Sequence, residues 1–397
     1  MLNPLVSVII PVYNGSNYLR QAIDSALSQT YDNCEIVVVD DGSTDSTEEI
    51  ALSYGNKIKY FKKTNGGVST ALNFGINEMK GEYFSWLSHD DIYYPNKIAK
   101  QIHALKECGD MTKITYGDYD MLITNSGEII ARKLGDQHNL EKLQDSIYPI
   151  IIGAAAGCGF LIHKSHFDRV GLFDENLRYT QDISMWFRLL RKQKTLYVPF
   201  ATYIQRVHDE AGSANKSHEQ RNEIVKLWLG IMLDVDEYEA TRMFGSLYQF
   251  YFMFLFSNCF YGNTDIINLI SGYVKKHNHE RRKRYLEILN KYADKKVCIF
   301  CAGSNGKKQY ADLLCNDIRV EYFSDNYSMK PVDTIFGTVE CIPFTELKKR
   351  KDEILVIIAN ANPLPILEQL EKAQFPNIMT QDELEKYLVE GSQLEIF

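Results

Sequence analysis

The chain has 397 residues, eight cysteines and a formal net charge of −8. This length suits two or three domains with a core in each, and the negative charge gives a nucleic-acid partner little electrostatic support. The cysteines show no paired spacing, which favours a reducing compartment over a disulfide framework. The apolar start, Met1 to Tyr13, has no basic leader and is interrupted by Pro11. We therefore expect no signal peptide and a cytoplasmic location.

Residues 6–91 alternate short apolar runs with stretches of helical spacing. The runs predicted as strands are Val6–Ile10, Glu35–Val39, Lys57–Phe61 and Tyr83–Leu87, followed later by Gly157–Lys164. The segments predicted as helices are Leu19–Leu27, a stretch from Asp45 to about Gly55, and Val68–Met79. Strands and helices that alternate in this way indicate a largely parallel sheet covered on both faces.

Polar side chains follow three of these strands, at Pro11–Asn14, Asp40–Ser43 and Ser88–Asp91. Open α/β sheets bind ligands at the carboxyl ends of their strands, so we expect the three clusters to form one site. Asp90 and Asp91 are adjacent carboxylates, and such a pair can hold a divalent cation against a phosphate. A solvated turn is the alternative interpretation of the acidic pair alone.

Three segments give the chain a family resemblance: Val8–Asn14, Val39–Asp45 and Asn65–Ser69. In order and spacing they resemble the nucleotide-binding half of the inverting family-2 glycosyltransferases, over roughly the first half of the chain. The resemblance implies an α/β catalytic domain of GT-A type with a mostly parallel sheet, over residues 1–215. It also implies a nucleotide-sugar donor, with a divalent metal (Mn²⁺ or Mg²⁺) at the diphosphate.

By this resemblance, the first half of the site binds the nucleotide. Pro11 and Tyr13 would line the base and ribose, and Asp41 would hydrogen-bond the base. The Gly66–Gly67 pair would let the backbone approach the nucleotide, although a simple turn explains two glycines as well. Asp40 would order the loop beside Asp41, and a helix-capping carboxylate is its alternative role.

The acidic cluster would form the metal corner of that site. The resemblance implies that Asp90 contacts the ribose or the metal and that Asp91 is the principal metal ligand. Two positions depart from the family pattern, because Ser88 stands where the family often has Asp and Leu72 where it often has Arg.

The second half of the site would supply the chemistry. Thr180–Leu189 resembles the family's acid-opened helix, although Gln181 stands where Glu is usual. The resemblance makes Asp182 the general base, and a helix N-cap is the alternative role of that carboxylate. Arg206 would stabilise the departing diphosphate, and His208 would be a second metal ligand.

Beyond residue 215 the sequence predicts a helical region over residues 216–294, rich in aromatics and with a basic run from Lys275 to Arg284. Packing on the catalytic domain is the favoured interpretation. Peripheral association with the inner face of the plasma membrane is the alternative, suggested by aromatic and basic residues together.

Residues 295–397 begin again as strand, turn and helix, and resemble the small Rossmann-like α/β domains attached to sugar-modifying enzymes. Gly303, Gly306 and Asp325 fit part of a dinucleotide fingerprint, but Cys301 occupies its first glycine position. We therefore expect a structural or small-ligand module without hydride chemistry.

Taken together, the sequence predicts a glycosyltransferase that moves a sugar from a nucleoside-diphosphate donor, UDP-sugar being favoured, to a hydroxyl of a glycan or lipid-linked acceptor. It would act with inversion, in the synthesis of a cell-surface polysaccharide or glycoconjugate. One alternative is a nucleotidyltransferase, which would need a glycine-rich phosphate loop with Arg and Lys that Pro11–Asn14 does not offer. Another is a non-catalytic nucleotide-binding or scaffold protein.

Overall fold

The structure is a computed structural model that describes residues 3–209, 217–256, 263–328 and 330–390. The chain divides into two compact units, Met1–Asp234 and Val235–Phe397. The three-part division at residues 215 and 294 stays a prediction, but the helix from His218 to Asp234 falls within the first unit.

The first unit combines a central sheet, a second sheet and surrounding helices. Its strands are β1 (Val6–Val12), β2 (Cys34–Asp40), β3 (Lys59–Lys62), β4 (Tyr83–Trp86), β5 (Ile92–Tyr93), β6 (Thr115–Ile123), β7 (Glu128–Arg132), β8 (Ile162–His163) and β9 (Leu196–Val207). Its helices are α1 (Leu19–Leu27), α2 (Thr47–Leu52), α3 (Val68–Glu78), α4 (Lys97–Cys108), α5 (Leu134–Gln137), α6 (Leu140–Leu143), α7 (Tyr148–Ile151), α8 (Ser165–Val170), α9 (Gln181–Leu190) and α10 (His218–Asp234).

The central sheet has the strand order β3-β2-β1-β4-β8. The neighbours among β3, β2, β1 and β4 pair in parallel, and β8 runs antiparallel to β4. In this register Val12 lies opposite Asp40, so β1 and β2 end at the same level. The prediction of a largely parallel α/β sheet is confirmed.

The second sheet has the order β5-β9-β6-β7. Strand β5 pairs antiparallel with β9, with Ile92 opposite Ile204, and β6 pairs in parallel with β9. Because β5 starts directly after the acidic cluster, this pairing brings the end of β9 to Asp90 and Asp91.

The spacing of apolar residues explains why β1 is a buried strand and α1 is a helix packed against it. Every residue of β1 is buried, and Val8 and Ile10 share a core cluster with Leu19 and Ile23 of α1. Strand β1 runs two residues past its predicted end, through Pro11, which keeps its register although it lacks an N–H to donate.

The predicted strand over Gly157–Lys164 is wrong for its first half. Gly157–Gly159 forms a 3₁₀ turn, and only Ile162–His163 is a strand. A Cβ on Gly157 would lie 3.2 Å from atoms of both Trp86 and Trp186. The glycine is therefore explained by close packing against two indole rings rather than by sheet pairing.

The second unit contains a helical segment and a second α/β sheet. Its helices are α11 (Glu237–Phe244), α12 (Leu247–Phe254), α13 (Thr264–Lys276), α14 (His279–Leu289), α15 (Ser304–Cys315), α16 (Phe344–Lys349), α17 (Leu364–Lys372) and α18 (Gln381–Glu390). Its strands are β10 (Lys296–Phe300), β11 (Val320–Ser324), β12 (Val332–Thr334), β13 (Gly337–Val339), β14 (Cys341–Ile342), β15 (Ile354–Ile358) and β16 (Ile378–Thr380).

The sheet of the second unit is parallel throughout, in the order β14-β11-β10-β15-β16. At the turn after β10, Cys301 adopts a φ of 105°, a left-handed value that glycine tolerates best. Asp325 accepts the backbone N–H of Ala302 at 2.9 Å. Asp325, a residue of the partial dinucleotide fingerprint, thus stabilises the turn after β10. This favours a structural role for the module over a ligand-binding one.

Several aromatic residues of the helical region are buried in the second unit. Tyr248, Phe250 and Phe254 are buried, and Arg281 of the basic run forms a largely buried ion pair with Asp312 at 2.6 Å. These residues all belong to the second unit, and packing on the catalytic domain and association with a membrane both stay predictions. Among the helices of the described ranges, none combines the length and apolar character needed to cross a bilayer.

A glycine pair in the second unit gives a matched stability test. A Cβ on Gly306 would lie 1.9 Å from the Cys301 carbonyl oxygen, whereas a Cβ on Gly303 would meet nothing within 4 Å. We expect Gly306→Ala to lower the free energy of unfolding by about 1–3 kcal/mol, measured by urea denaturation of the full chain. Gly303→Ala is the control, and equal midpoints for the two variants would contradict this account of the turn.

Candidate active site

A cleft of about 530 Å³ lies where β1, β2 and β4 end. The predicted site residues on its walls are Pro11, Tyr13, Asp41, Gly67, Asp90, Asp91, Asp182 and Arg206. The two remaining predicted residues lie beside the wall, since Gly66 precedes Gly67 and His208 contacts Asp90. The three polar clusters therefore form one site.

The Asp41 carboxylate organises the nucleotide end of the cleft. It is buried and accepts the backbone N–H groups of Gly66 at 3.0 Å and Gly67 at 2.7 Å. The Lys63 ammonium donates to the same carboxylate at 2.6 Å. Asp41 thus folds the glycine turn against the end of β2. Sequence reasoning missed Lys63. Asp40 pairs with Lys62 in the parallel strands β2 and β3, so the residues that follow them, Asp41 and Lys63, lie side by side.

Asp40 orders its loop rather than capping a helix. Its carboxylate is fully buried, accepts the Ser43 N–H at 2.7 Å and accepts the Tyr60 hydroxyl at 2.7 Å. Burial, and then the hydrogen bond to Asp40, raise the pKa of Tyr60. Of the two roles considered for Asp40, the structure supports loop ordering.

Asp91 is held by its own chain on both oxygens. The side chain is 6% exposed, Oδ1 accepts the Arg206 backbone N–H at 2.9 Å, and Cys158 Sγ donates to Oδ2 at 3.3 Å. Burial, and then the charge of Asp90, raise the pKa of Asp91. This carboxylate joins β9 to the acidic cluster.

Asp90, rather than Asp91, faces His208. Asp90 Oδ2 lies 3.1 Å from His208 Nε2, and their side chains are 18% and 8% exposed. His208 Nδ1 is buried without a hydrogen-bond partner in the described part of the chain. The register between β5 and β9 brings Asp90 beside His208, and the role of Asp91 as principal metal ligand, which the resemblance implies, stays a prediction.

Asp90 and His208 form a pair of side chains of the kinds that ligate metal ions. Within the described ranges, no group of three or more His, Cys, Asp or Glu side chains is arranged to hold a metal ion. Mg²⁺ is commonly held by one or two protein carboxylates together with substrate phosphates and water, and imidazole also suits transition-type cations. Asp90 and His208 therefore fit a metal that is shared with a diphosphate.

Arg206 borders the same corner. Its Nε donates to the Asp90 carbonyl oxygen at 2.9 Å, Nη2 donates to Gln21 Oε1 at 2.6 Å, and the guanidinium lies 4.4 Å from the centroid of the Tyr18 ring. These contacts hold a permanent positive charge at the cleft wall.

Asp182 lies in the first turn of α9, after the N-cap residue Thr180. It is half-buried, and its Oδ1 accepts the Ile183 N–H at 2.7 Å. Because Thr180 is the N-cap, the capping alternative for Asp182 is wrong. Burial raises the pKa of this carboxyl, which makes it a better proton acceptor than an exposed aspartate.

Glu223 of α10 is a site residue that sequence reasoning missed. Its carboxylate accepts the backbone N–H groups of Arg178 at 3.1 Å, Tyr179 at 2.8 Å and Thr180 at 2.7 Å, and the Thr180 hydroxyl at 2.8 Å. Burial alone would raise the pKa of Glu223, but these donors outweigh it and lower the pKa. Glu223 therefore holds the segment that leads into Asp182. A single Glu on a charged helix gives no signal of such a role.

A second cavity, of about 310 Å³, adjoins the cleft. Five residues line both: Trp86, Ser88, Asp91, Asp182 and Gln205. The three tryptophans of the chain, Trp86, Trp186 and Trp228, all line this second cavity. Asp182 thus lies on the wall of both spaces.

The bonds to Glu223 give a test of how the segment before Asp182 is held. We expect Glu223→Ala to lower the free energy of unfolding by about 1–3 kcal/mol, because it leaves three backbone N–H groups without their acceptor. Amide hydrogen exchange should also become faster at residues 178–182. Glu219→Ala, at an exposed position on the same helix, is the control. Unchanged exchange at residues 178–182 would argue against this role for Glu223.

Comparison with known sequences identifies the family. The profile of the family described as Glycosyl transferase family 2 matches residues 7–171. An uncharacterised glycosyltransferase of Rickettsia typhi is 48% identical over 248 residues, covering 62% of this chain and 78% of the relative. The glycosyltransferase GlyA of Streptococcus pneumoniae is 35% identical over 150 residues, covering 37% of this chain and 21% of GlyA.

Solved structures agree at the level of the fold. The crystal structure of residues 1–349 of S. aureus TarS in complex with UDP-GlcNAc aligns with a TM-score of 0.55 at 17% identity, covering 83% of this chain and 95% of that one. The structure of TarS 1–349 alone gives a TM-score of 0.52 at 19% identity, covering 79% and 88%. With the sequence matches, this resemblance shows that the chain belongs to glycosyltransferase family 2 and has a GT-A type fold.

Proposed function

We propose that this glycosyltransferase moves a sugar from a nucleoside-diphosphate donor, UDP-sugar being favoured, to a hydroxyl of a glycan or lipid-linked acceptor. The transfer inverts the anomeric configuration and serves the assembly of a cell-surface polysaccharide or glycoconjugate. The observation that supports this most directly is that Asp182 lines the same cleft as Asp90 and Arg206. A proton acceptor and a diphosphate corner are the two parts that such a transfer requires.

The proposed donor position follows from the chemistry of the walls. Pro11 and Tyr13, the latter half exposed, offer an apolar and aromatic surface for a base and ribose. The turn folded by Asp41 brings the backbone of Gly67 to the same wall. Arg206 also lines the cleft, and its guanidinium supplies the positive charge that a diphosphate requires.

The proposed step is a single displacement. An acceptor hydroxyl attacks the anomeric carbon, the carbon–oxygen bond to the diphosphate breaks, and the hydroxyl proton moves to the Asp182 carboxylate. Attack from the face opposite the leaving group inverts that carbon. Arg206 stabilises the negative charge that develops on the departing diphosphate.

Asp90 and His208 are the residues that would hold a divalent metal against the diphosphate. When bound, such a metal neutralises charge on the leaving group. The 3.1 Å approach of Asp90 Oδ2 to His208 Nε2 supports this assignment.

Removing the proposed base should separate chemistry from binding. We expect Asp182→Asn to lower kcat by about 10²–10⁴-fold and to leave the Kd of the nucleotide-sugar within a few-fold. Because burial raises the pKa of Asp182, and only its deprotonated form accepts a proton, kcat should fall with acidity at a pH above the ordinary aspartate pKa of about 3.9. Asp168→Asn, at an exposed helix position, is the control. Full activity in Asp182→Asn would exclude it as the base.

Donor and metal can be tested in one calorimetric series. UDP-, GDP- and dTDP-sugars are titrated into the full chain with and without Mn²⁺. We expect Mn²⁺ to tighten binding of the UDP-sugar, and Asp90→Ala or His208→Ala to weaken metal-dependent binding about tenfold or more. His103→Ala, an exposed histidine, is the control. Tighter binding of another nucleotide would overturn the UDP assignment, and binding independent of Mn²⁺ would overturn the metal assignment.

A further inference from the structure

Strand β7 (Glu128–Arg132) forms one edge of the second sheet. Its inner side pairs antiparallel with β6, and Met121 of β6 lies opposite Ile130. Within the described part of the chain, no strand pairs with its outer side. Such an edge presents a row of backbone N–H and C=O groups with which another strand can pair.

The side chains of β7 do not protect this edge. Ile129 and Ile130 are 58% and 40% exposed, and the charged residues stand only at the two ends of the strand. Edge strands commonly carry lysine or proline, which discourages pairing with other strands. The central sheet follows that rule, because its edge strand β3 begins at Lys59 and ends at Lys62. Strand β7 is therefore suited to pairing.

The sequence of β7 is complementary to its own reverse. When two β7 strands run antiparallel with Ile130 opposite its own copy, Glu128 of each strand lies opposite Arg132 of the other. Ile129 of each strand then lies opposite Ala131 of the other. Opposite charges and apolar side chains that lie directly across from one another stabilise a strand pair. Every side chain of β7 thus meets a suitable neighbour.

Symmetry leaves few registers, and one of them satisfies both charges. A two-fold axis perpendicular to the sheet keeps each side chain on its own face, so one residue must lie opposite its own copy. With Ile129 at the centre, Glu128 would face Ile130, and with Ala131 at the centre, Arg132 would face Ile130. A centre at either end residue would bring like charges together. Among the five centres, only Ile130 gives each charge its opposite.

The two charged residues are available for this pairing. Glu128 is exposed, and the Nε atom of Arg132 is buried without a hydrogen-bond partner in the described ranges. Buried donors in proteins are nearly always paired, and a guanidinium binds a carboxylate especially well. A carboxylate that approaches from a second strand is the class of acceptor that Arg132 lacks.

We propose that two copies of this chain form a dimer by antiparallel pairing of their β7 strands about Ile130. The interface is isologous, with the same residues on both sides, and it joins the two second sheets into one continuous sheet. Strands of five residues bury little area beside the roughly 1,200–2,000 Å² of a standard interface. The dimer is therefore reversible and depends on the protein concentration.

This surface is separate from the candidate active site. None of the described residues that line the cleft or the second cavity belongs to β7. The dimer therefore stands or falls independently of the proposed glycosyl transfer, and its test requires no substrate.

Sedimentation equilibrium of the full chain is the first test. Between about 1 and 200 μM, a range that covers a micromolar Kd, we expect the weight-average mass to rise from that of one chain toward that of two. A mass that stays at one chain throughout this range overturns the proposal.

Charge reversal at either end of β7 should weaken the dimer. Glu128→Arg and Arg132→Glu each place two pairs of like charges across the strand pair, and we expect the dimer Kd to rise about tenfold or more. Glu107→Arg makes the same change at an exposed position of α4 and is the control. A dimer that is unaffected in both β7 variants has its interface elsewhere, which contradicts the proposal.

A mixture of the two β7 variants separates charge complementarity from misfolding. One strand then carries two positive charges and the other two negative charges, so every cross-strand charge pair is again attractive. We expect the equimolar mixture, and also the double variant Glu128→Arg/Arg132→Glu, to dimerise with a Kd within a few-fold of that of the native chain. Variants that do not associate on mixing would overturn the proposal.

Amide hydrogen exchange locates the interface on the native chain. Because pairing closes the outer side of β7, exchange at residues 128–132 should be slower at about 200 μM than at about 1 μM. Residues 115–118 of β6, which pair with β9, are the control. Equal protection of β7 at both concentrations would mean that a segment of the same chain covers the edge, and it would rule out the dimer.

Discussion

The hydrogen bond from the Arg206 backbone to the Asp91 carboxylate connects the two sheets of the catalytic unit. Asp91 lies between the end of β4 in the central sheet and the start of β5 in the second sheet. Arg206 lies near the end of β9, which pairs with β5. The bond therefore sets where Arg206 and His208 stand relative to Asp90, and the geometry of the proposed diphosphate site depends on it.

Burial of Asp91 has an energetic cost that its partners offset only in part. A carboxylate removed from water is stabilised by donors that face it, and Asp91 has one backbone N–H and one thiol, a weak donor. Asp41 has a lysine and two backbone N–H groups instead. The acids of the site thus differ in the strength of their partners, since Asp182 accepts only a neighbouring backbone N–H at 2.7 Å and has no lysine beside it.

Local signals made much of the fold predictable. Buried β-branched runs such as Val6–Ile10, alternating with helical spacing, gave the strands and helices of residues 6–91 to within a few residues. The parallel order then implied that the clusters after β1, β2 and β4 would meet. The assignment of Asp182 rests on the resemblance of Thr180–Leu189 to the family's acid-opened helix, and the structure has a helix over Gln181–Leu190.

Long-range pairing made the rest unpredictable. The register between β5 and β9 makes Asp90, not Asp91, face His208. Asp90 and His208 are 118 positions apart in the sequence. Glu223 reaches its three N–H partners across 43 to 45 positions. Gly157 appeared to belong to a strand because its neighbours are apolar, but contact with two distant indoles decides its conformation.

Helix α10 determines where this chain can be divided when a chimeric enzyme is built. The family profile ends at residue 171, yet Gln220 lines the cleft, Glu223 holds the segment before Asp182, and Trp228 lines the second cavity. A chimera in which the chain is replaced after residue 215 would retain every motif residue. It would nevertheless exchange the α10 residues that line the cleft and the second cavity. A chimera that keeps both walls therefore requires a junction beyond Asp234, so that the motif residues and α10 are inherited together.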